Sequence, residues 1–300
     1  MDTERRLERY RAADRWPADE ALAAMLDNQQ GALFAVRNAL PQLTAAVRAA
    51  AAHLGEGEGR LVYVGAGASG RLAVQDGVEL WPTFGWPHQR LLYLMAGGEA
   101  ALVQSREGAE DDAAAGQALI EAHGIGPGDV VVGVAASGTT PFTRAAIRAA
   151  RASGALTIGM ANNPEAPLLD EAECPVLLHS GPEFLAGSTR MTAGTAQKIA
   201  LNLFSTQTMT ELGRVYDGLM VNVVASNIKL VERGQKMVQA ITGCDARAAA
   251  EAHEAAGHDV KTAVLIVDGL SLDEARACLA RAGGNLRLAR AIEPEPIAET

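Results

Sequence analysis

Val62-Tyr63-Val64-Gly65-Ala66-Gly67-Ala68-Ser69-Gly70-Arg71 is the stretch around which this chain reads as organised. Residues 60–64 are apolar and β-rich, the pattern of a short buried strand. The glycines that follow can adopt turns closed to other residues and let backbone N–H groups close on a ligand. From about Gly70 the pattern turns helical, which sets Ser69 where a hydroxyl and a helix N-terminus meet an anion. The letters also satisfy G-x-G-x-x-G, but many glycine-rich strand–loop–helix turns do so. A dinucleotide site wants an acidic residue ending the next strand, about 20 residues on. That strand, 90–95, runs into Ala96-Gly97-Gly98 with no acid before Glu99. A phosphate loop fits better than a nicotinamide loop.

Working outward, strands are predicted at 60–64, 90–95, 130–135, 156–160 and 175–179. Helical patterns such as 70–80, 111–123 and 141–152 separate them. Alternation of this kind implies parallel pairing through right-handed crossovers. The run Val130-Val131-Val132-Gly133-Val134 is apolar throughout, as burial from both faces requires. The predicted class is therefore α/β, a parallel five-stranded sheet flanked by helices in three layers, with a small C-terminal helical domain. In such sheets ligands sit beyond the carboxyl ends of the strands, at the switch in strand order.

The third strand ends in a second loop of the same kind, Ala135-Ala136-Ser137-Gly138-Thr139-Thr140-Pro141. Two hydroxyl-rich glycine loops on one sheet edge suggest a shared phosphate cradle; the plainer alternative is that Ser69 and Thr140 only cap helices. Two acidic places also stand out. Glu79 closes the first loop's helix among apolar neighbours, where a carboxyl group stays protonated to higher pH and can act as an acid. Glu107-Gly108-Ala109-Glu110-Asp111-Asp112 follows the second strand; it could equally be an exposed turn and N-cap cluster. No histidines at ligand spacing accompany it, which argues against a metal.

The net charge of −10 argues against nucleic acid or an anionic membrane as partner. Cys174, Cys244 and Cys278 form no paired or metal-binding spacing and read as reduced thiols of a cytoplasmic protein. No stretch approaches the roughly 20 apolar residues of a membrane span. Three segments are expected: an N-terminal arm with helices over 1–51, a sugar-phosphate-binding domain over 52–215, and a helical region over 216–300. Within them, 1–18 reads as an extended arm, followed by helices at 18–26 and 32–54. Later helices are expected at 195–212 and 221–234, with a small bundle over 236–291. The stretch 261–267 reads as helix despite its strand propensity, and the Pro/Glu-rich tail from Glu293 as loose.

The chain resembles the N-acetylmuramic acid 6-phosphate etherase family, built on the sugar isomerase (SIS) fold and related to glucokinase regulatory protein. The matching stretches are 65–71, 76–85, 96–99, 107–112 and 135–141. The most specific is Gly181-Pro182-Glu183-Phe184-Leu185-Ala186-Gly187-Ser188-Thr189-Arg190-Met191-Thr192-Ala193-Gly194-Thr195-Ala196-Gln197-Lys198. Behind it come 219–225, 227–230 and 240–244. The resemblance implies an etherase that removes D-lactate from the C3 oxygen of the sugar phosphate by elimination and hydration, in peptidoglycan recycling. It implies Glu79 as the acid at the leaving oxygen and Glu110 as the carboxylate handling the C2 proton. Gly67, Ser69, Gly70, Ser137, Gly138, Thr139 and Thr140 would hold the phosphate, and Glu183, Ser188 and Lys198 would join the substrate site. It further implies a homodimer with shared sites and no metal or organic cofactor.

Several positions depart from the family's usual residues, among them Leu7, Val78 and Leu80-Trp81. Ala68 lacks a hydroxyl, Thr139 and Thr192 each lack a positive charge, and Asn222 stands for an aspartate. Lys261 lies in a family-like run, where packing is the more ordinary role. Alternative readings on the same fold are a phosphosugar isomerase and a non-catalytic sugar-phosphate-binding regulator. Retention of Glu79 and Glu110 favours the etherase.

Overall fold

The computed structural model describes residues 1–55, 57–104, 106–225 and 227–292, so the tail from Glu293 lies outside the described residues. The chain divides into two compact units: Met1–Val78 with His88–Thr208, and Glu79–Pro87 with the chain from Met209.

In the first unit the strands β1 (Leu61–Gly65), β2 (Leu91–Met95), β3 (Val130–Ala135), β4 (Leu156–Ala161) and β5 (Cys174–Leu177) form one parallel sheet in the order β2-β1-β3-β4-β5. The helices are α1 (Ala18–Gly55), α2 (Gly67–Val78), α3 (Leu80–Phe84, in the second unit), α4 (Ala113–Ala122), α5 (Pro141–Ala152), α6 (Pro167–Glu171) and α7 (Thr192–Glu211). Strands β1, β3 and β4 are wholly buried, which is why they read as unbroken apolar runs. Val62, Val64 and Val131 pack with Ile120 of α4, Phe142 and Ile147 of α5 and Leu168 of α6. On the other face the Tyr63 hydroxyl reaches Asp76 of α2. The strand order reverses between β1 and β3, so the loops leaving those two neighbours flank the expected ligand crevice. Their starts are tied by Arg60, which donates to Asp129 through Nε (3.0 Å) and Nη2 (2.7 Å). Burial pushes the Asp129 acidity down, but hydrogen bonds from Arg60 and the Gly126 N–H outweigh it and hold the carboxyl below the usual range.

Several expectations need correction. The two N-terminal helices are one, the 38-residue α1, with Pro41 inside it. Asn28, in the expected gap, is buried and donates to the Pro182 carbonyl, so packing carries the helix through. Pro41 is tolerated on an exposed side, where its missing N–H leaves no buried partner. The N-terminal segment does not stand apart at residue 51 either, because α1 packs along β3, β4 and β5. Residues 1–18 are not an extended arm but three short 3₁₀ turns with Thr3 buried. The expected helix at 221–234 starts only at Ile228, because Asn227 caps it with its side chain on the Leu230 N–H.

The second unit holds α3, α8 (Ile228–Thr242), α9 (Ala246–Ala255), α10 (Val260–Val267), α11 (Leu272–Arg281) and α12 (Leu286–Ala289). Asp245, Asp259, Ser271 and Asn285 cap their helices with side-chain oxygens, and Met237, Val238, Val260, Val264 and Leu286 share its core. The stretch expected as helix rather than strand is α10. Lys261 within it is buried, and its ammonium donates to the Gly284 carbonyl. Burial first, then the charge of Arg214, lower its pKa to about 8 against the pull of Asp259.

Candidate active site

Helix α2 begins at Gly67, earlier than the pattern suggested, so Ser69 stands in its first turn rather than in a loop. Gly65 and Gly70 make the early start possible. A Cβ on Gly65 would lie 2.7 Å from the Gly70 Cα, and one on Gly70 would meet Met95 Sδ at 2.5 Å. The N–H groups of Gly67 to Ser69 precede the first hydrogen bond of the turn, from Gly70 to the Ala66 carbonyl at 3.0 Å. They are the free donors of a helix N-terminus. Ser69 is buried, and its hydroxyl has no partner among the described residues.

The loop after β3 is built differently. Ser137 Oγ accepts from the Thr139 N–H (3.1 Å) and hydroxyl (3.0 Å), a small side-chain turn. Gly138 has φ +67°, and a Cβ there would sit 2.3 Å from that of Ala166, so no other residue fits without movement. Asn163 fixes the loop from below through a 3.0 Å bond to the Ala136 carbonyl. Thr140 stands at the N-cap of α5, yet its side chain makes no capping bond. The hydroxyl is thus not used in the way the plainer alternative required.

A cleft of about 260 Å³ opens beside the first loop, lined by Ala66, Gly67 and Arg71 on one side and by Arg106, Glu107 and Glu110 on the other. Arg71 is oriented by the Ala101 and Leu102 carbonyls at 2.8–3.1 Å. Glu110 sits on an exposed 3₁₀ turn, Ala109–Asp111. Its neighbour Asp112 is spent on the α4 N-cap, accepting from Ala115 at 2.9 Å. The acidic run therefore divides: one carboxylate caps a helix while Glu107 and Glu110 face the cleft. The geometry offers backbone donors and guanidinium groups for an anion beside carboxylates able to take a proton.

The other expected residues fare unevenly. Glu183 is fully buried, and both its oxygens accept backbone N–H groups at 2.8 Å, from Thr192 and Ala193. It closes the N-terminus of α7. Ser188 is half-buried in the turn before that helix, where its carbonyl accepts from Met191. Lys198 is exposed, with its ammonium on Asn202 Oδ1. Glu79 belongs to the second unit, immediately before α3, and is exposed. The apolar surroundings expected for it are not there, because Val78 beside it is also exposed.

Three groups escaped sequence reasoning. Arg71 and Arg106 line the cleft although charge in a helix or loop ordinarily means a solvated face. Asn162-Asn163 follow β4 and are both buried; their place at a strand's carboxyl end was the available signal. Asp76 is buried and accepts from the Tyr63 hydroxyl (2.8 Å), Asn202 Nδ2 (2.6 Å) and the Ser205 hydroxyl (3.1 Å). Burial pushes its pKa up, opposed by those bonds and by the charge of Lys198.

Residues 42–151 match the family described as the glucokinase regulatory protein N-terminal SIS domain, and residues 114–207 match the SIS domain. The chain is 54% identical over 279 residues to the N-acetylmuramic acid 6-phosphate etherase of Deinococcus radiodurans, covering 93% of this chain and 91% of the relative. It is 48% identical to that of Erwinia tasmaniensis, covering 87% and 86%. It is 44% identical to that of Rubrobacter xylanophilus, covering 96% and 95%. A phosphoheptose isomerase from Francisella tularensis superposes with a TM-score of 0.50 at 14% identity, over 65% of this chain and all of that one, a likeness of fold alone.

Proposed function

Since the chain belongs to the N-acetylmuramic acid 6-phosphate etherase family, we propose that it opens the D-lactyl ether of N-acetylmuramic acid 6-phosphate. It is a carbon–oxygen lyase of peptidoglycan recycling, and the products are N-acetylglucosamine 6-phosphate and D-lactate. The C2 proton, acidified by the open-chain aldehyde, leaves first. The C3–O bond then breaks with protonation of the departing lactyl oxygen, and water adds at C3. Glu110 handles the C2 proton and Glu79 the leaving oxygen. Two carboxylates in different surroundings can divide such roles. The observation that carries the reading in the first unit is the cleft that Glu110 shares with Gly67, the first residue of α2. Ser69 and Ser137 to Thr140 complete the phosphate cradle. For Glu79 the support is the family resemblance.

The protein acts as a homodimer in the cytoplasm. Free Cys174, Cys244 and Cys278 support a reducing compartment, and among the described residues no helix is long and apolar enough to cross a membrane. Support for the dimer comes from α1, where Leu22, Leu26, Leu33 and Leu40 are 46–69% exposed. The last three recur every seven residues, the period of a helix–helix seam. Charge is self-complementary as well: Asp19, Glu20 and Asp27 occupy the first half of the helix, Arg37 and Arg48 the second. Antiparallel pairing with a second copy would oppose unlike charges at both ends.

The test is direct. The purified protein should release one D-lactate per N-acetylmuramic acid 6-phosphate consumed and leave unphosphorylated N-acetylmuramic acid almost untouched. Equal turnover of both sugars would remove the phosphate cradle from the reading.

A further inference from the structure

Gly97, just past the end of β2, adopts φ +81°, and a Cβ on it would lie 3.1 Å from the Cβ of Arg106 and 3.2 Å from its Cδ. The stem of Arg106 therefore lies across that turn, at the carboxyl edge of the sheet, and the residue lines the cleft of about 260 Å³. The chain then turns at Gly108, with φ +72°, and sets Glu110 in the same cleft.

Arg71 and Arg106 are the cations among the described residues that line this cleft, and they differ in what they already hold. Arg71 gives Nε and Nη2 to the Ala101 and Leu102 carbonyls at 2.8–3.1 Å. Arg106 makes no hydrogen bond or ion pair with any described residue. Glu107 follows it directly and Glu110 shares its cleft, yet it pairs with neither.

The reaction supplies an anion for it. A carboxylate that handles the C2 proton works beside C3, whose oxygen carries the lactyl group with a carboxylate of its own. Glu107 and Glu110 repel that further carboxylate, and like charges brought together oppose binding unless a cation intervenes. A guanidinium fork matches a carboxylate through two parallel hydrogen bonds. The phosphate sits farther along the carbon chain, on C6.

We infer that Arg106 is a specificity-determining residue that binds the carboxylate of the substrate's lactyl group. It makes the cleft prefer a sugar phosphate that bears an acid on C3 to one that bears a hydroxyl there. The place of the ether rests on the etherase reading; the unpaired cation in the cleft of Glu110 does not.

The experiment compares Arg106→Met and Arg106→Lys with the native protein. The substrates are N-acetylmuramic acid 6-phosphate and the same compound with its lactyl carboxylate converted to the amide, and N-acetylglucosamine 6-phosphate serves as competitive inhibitor. Methionine keeps most of the stem over Gly97 and no bond is lost, so the fold is spared. With Arg106→Met, KM for the acid should rise about tenfold to a hundredfold, the range of one charge-assisted hydrogen bond. KM for the amide should stay within about twofold, and Arg106→Lys should recover part of the loss. Inhibition by N-acetylglucosamine 6-phosphate should not change. An equal rise for acid and amide would overturn the inference. So would a matching loss of inhibition, which would give Arg106 to the phosphate. Should the native protein release no lactate, the etherase reading falls, and calorimetric titration with N-acetylmuramic acid 6-phosphate and with N-acetylglucosamine 6-phosphate decides. A preference for the acid that Arg106→Met abolishes supports the role; no preference, or one that survives the change, overturns it.

Discussion

Glu183 and Thr192 are joined by a 2.8 Å bond from the Thr192 N–H to Oε2, and the companion oxygen takes the N–H of Ala193 at the same distance. The family's most specific motif thus spends its one carboxylate on a helix end instead of on solvent. Glu183→Gln replaces one acceptor by a donor facing a backbone N–H. The expected loss is about 2–4 kcal/mol of stability, read as a lower melting temperature. Lactate release per folded molecule should stay within a few-fold. A stable variant with ruined KM would instead assign Glu183 to substrate.

Removing the two proposed catalytic carboxylates should block different steps. Glu79→Gln should stop lactate release but still exchange the C2 hydrogen with deuterated solvent, because deprotonation comes first. Glu110→Gln should lose both. Each loss should be about 10²–10⁴ in rate, followed by NMR beside a lactate assay. Exchange that survives in the Glu110 variant and vanishes in the Glu79 variant would reverse the roles.

The Arg60–Asp129 pair sets a dependence on acid. Asp129 is held below its ordinary value in the folded protein. Its contribution is therefore complete above the unfolded value of about 3.9 and is lost as pH falls below that through the lower folded value. Asp129→Asn should cost about 2–4 kcal/mol at neutral pH. Thermal melts between pH 5 and pH 3 should then show a flatter decline than the native protein.

Lys261 should act in the opposite range. Its folded pKa of about 8 lies under the model-compound value of 10.5. Between those values the unfolded chain holds a proton that the folded chain has released, so stability rises with pH there. Below pH 8 the penalty of a buried charge is fully present. Lys261→Met should remove this rise, a difference on the order of 3 kcal/mol at most, seen in denaturant titrations at pH 7.5 and pH 10.

A charge placed on the α1 seam should separate the proposed dimer. Leu33→Asp lies on an exposed helical face and should cost little stability, while sedimentation should move from a dimer to the 31.2 kDa chain. A native protein that sediments only as monomer at micromolar concentration, fully active, would dismiss the interface.

The sheet was legible because burial on both faces leaves continuous apolar runs, as in Val130 to Val134, and hydroxyl-rich glycine loops mark the strand ends. The place of Glu110 beside a cleft was legible for a similar reason, since its run lies between β2 and α4 on the ligand edge. The surroundings of Glu79 were not. Adjacent apolar letters said nothing of Val78 pointing outward, because a helix ends there and its face is lost. Nor did any local pattern announce Asp76, whose partners come from β1 and from α7 more than a hundred residues later. The continuity of α1 was hidden by Pro41 and by a polar gap whose Asn28 finds its acceptor only at Pro182.

Thr3 exchanges hydrogen bonds with Asn163 across 160 residues, its N–H donating at 3.2 Å and its hydroxyl accepting at 3.1 Å, while Gly187 donates to its carbonyl at 2.8 Å. Closing a loop of that length carries about 4.5 kcal/mol of entropy, recovered only when β4 and the turn at Gly187 already exist. The turn around Thr3 is therefore expected to latch after the folding nucleus has formed. Loosening it would then leave the rate of folding alone and hasten unfolding, so that the residence time of the native state, rather than the ease of reaching it, would depend on Thr3.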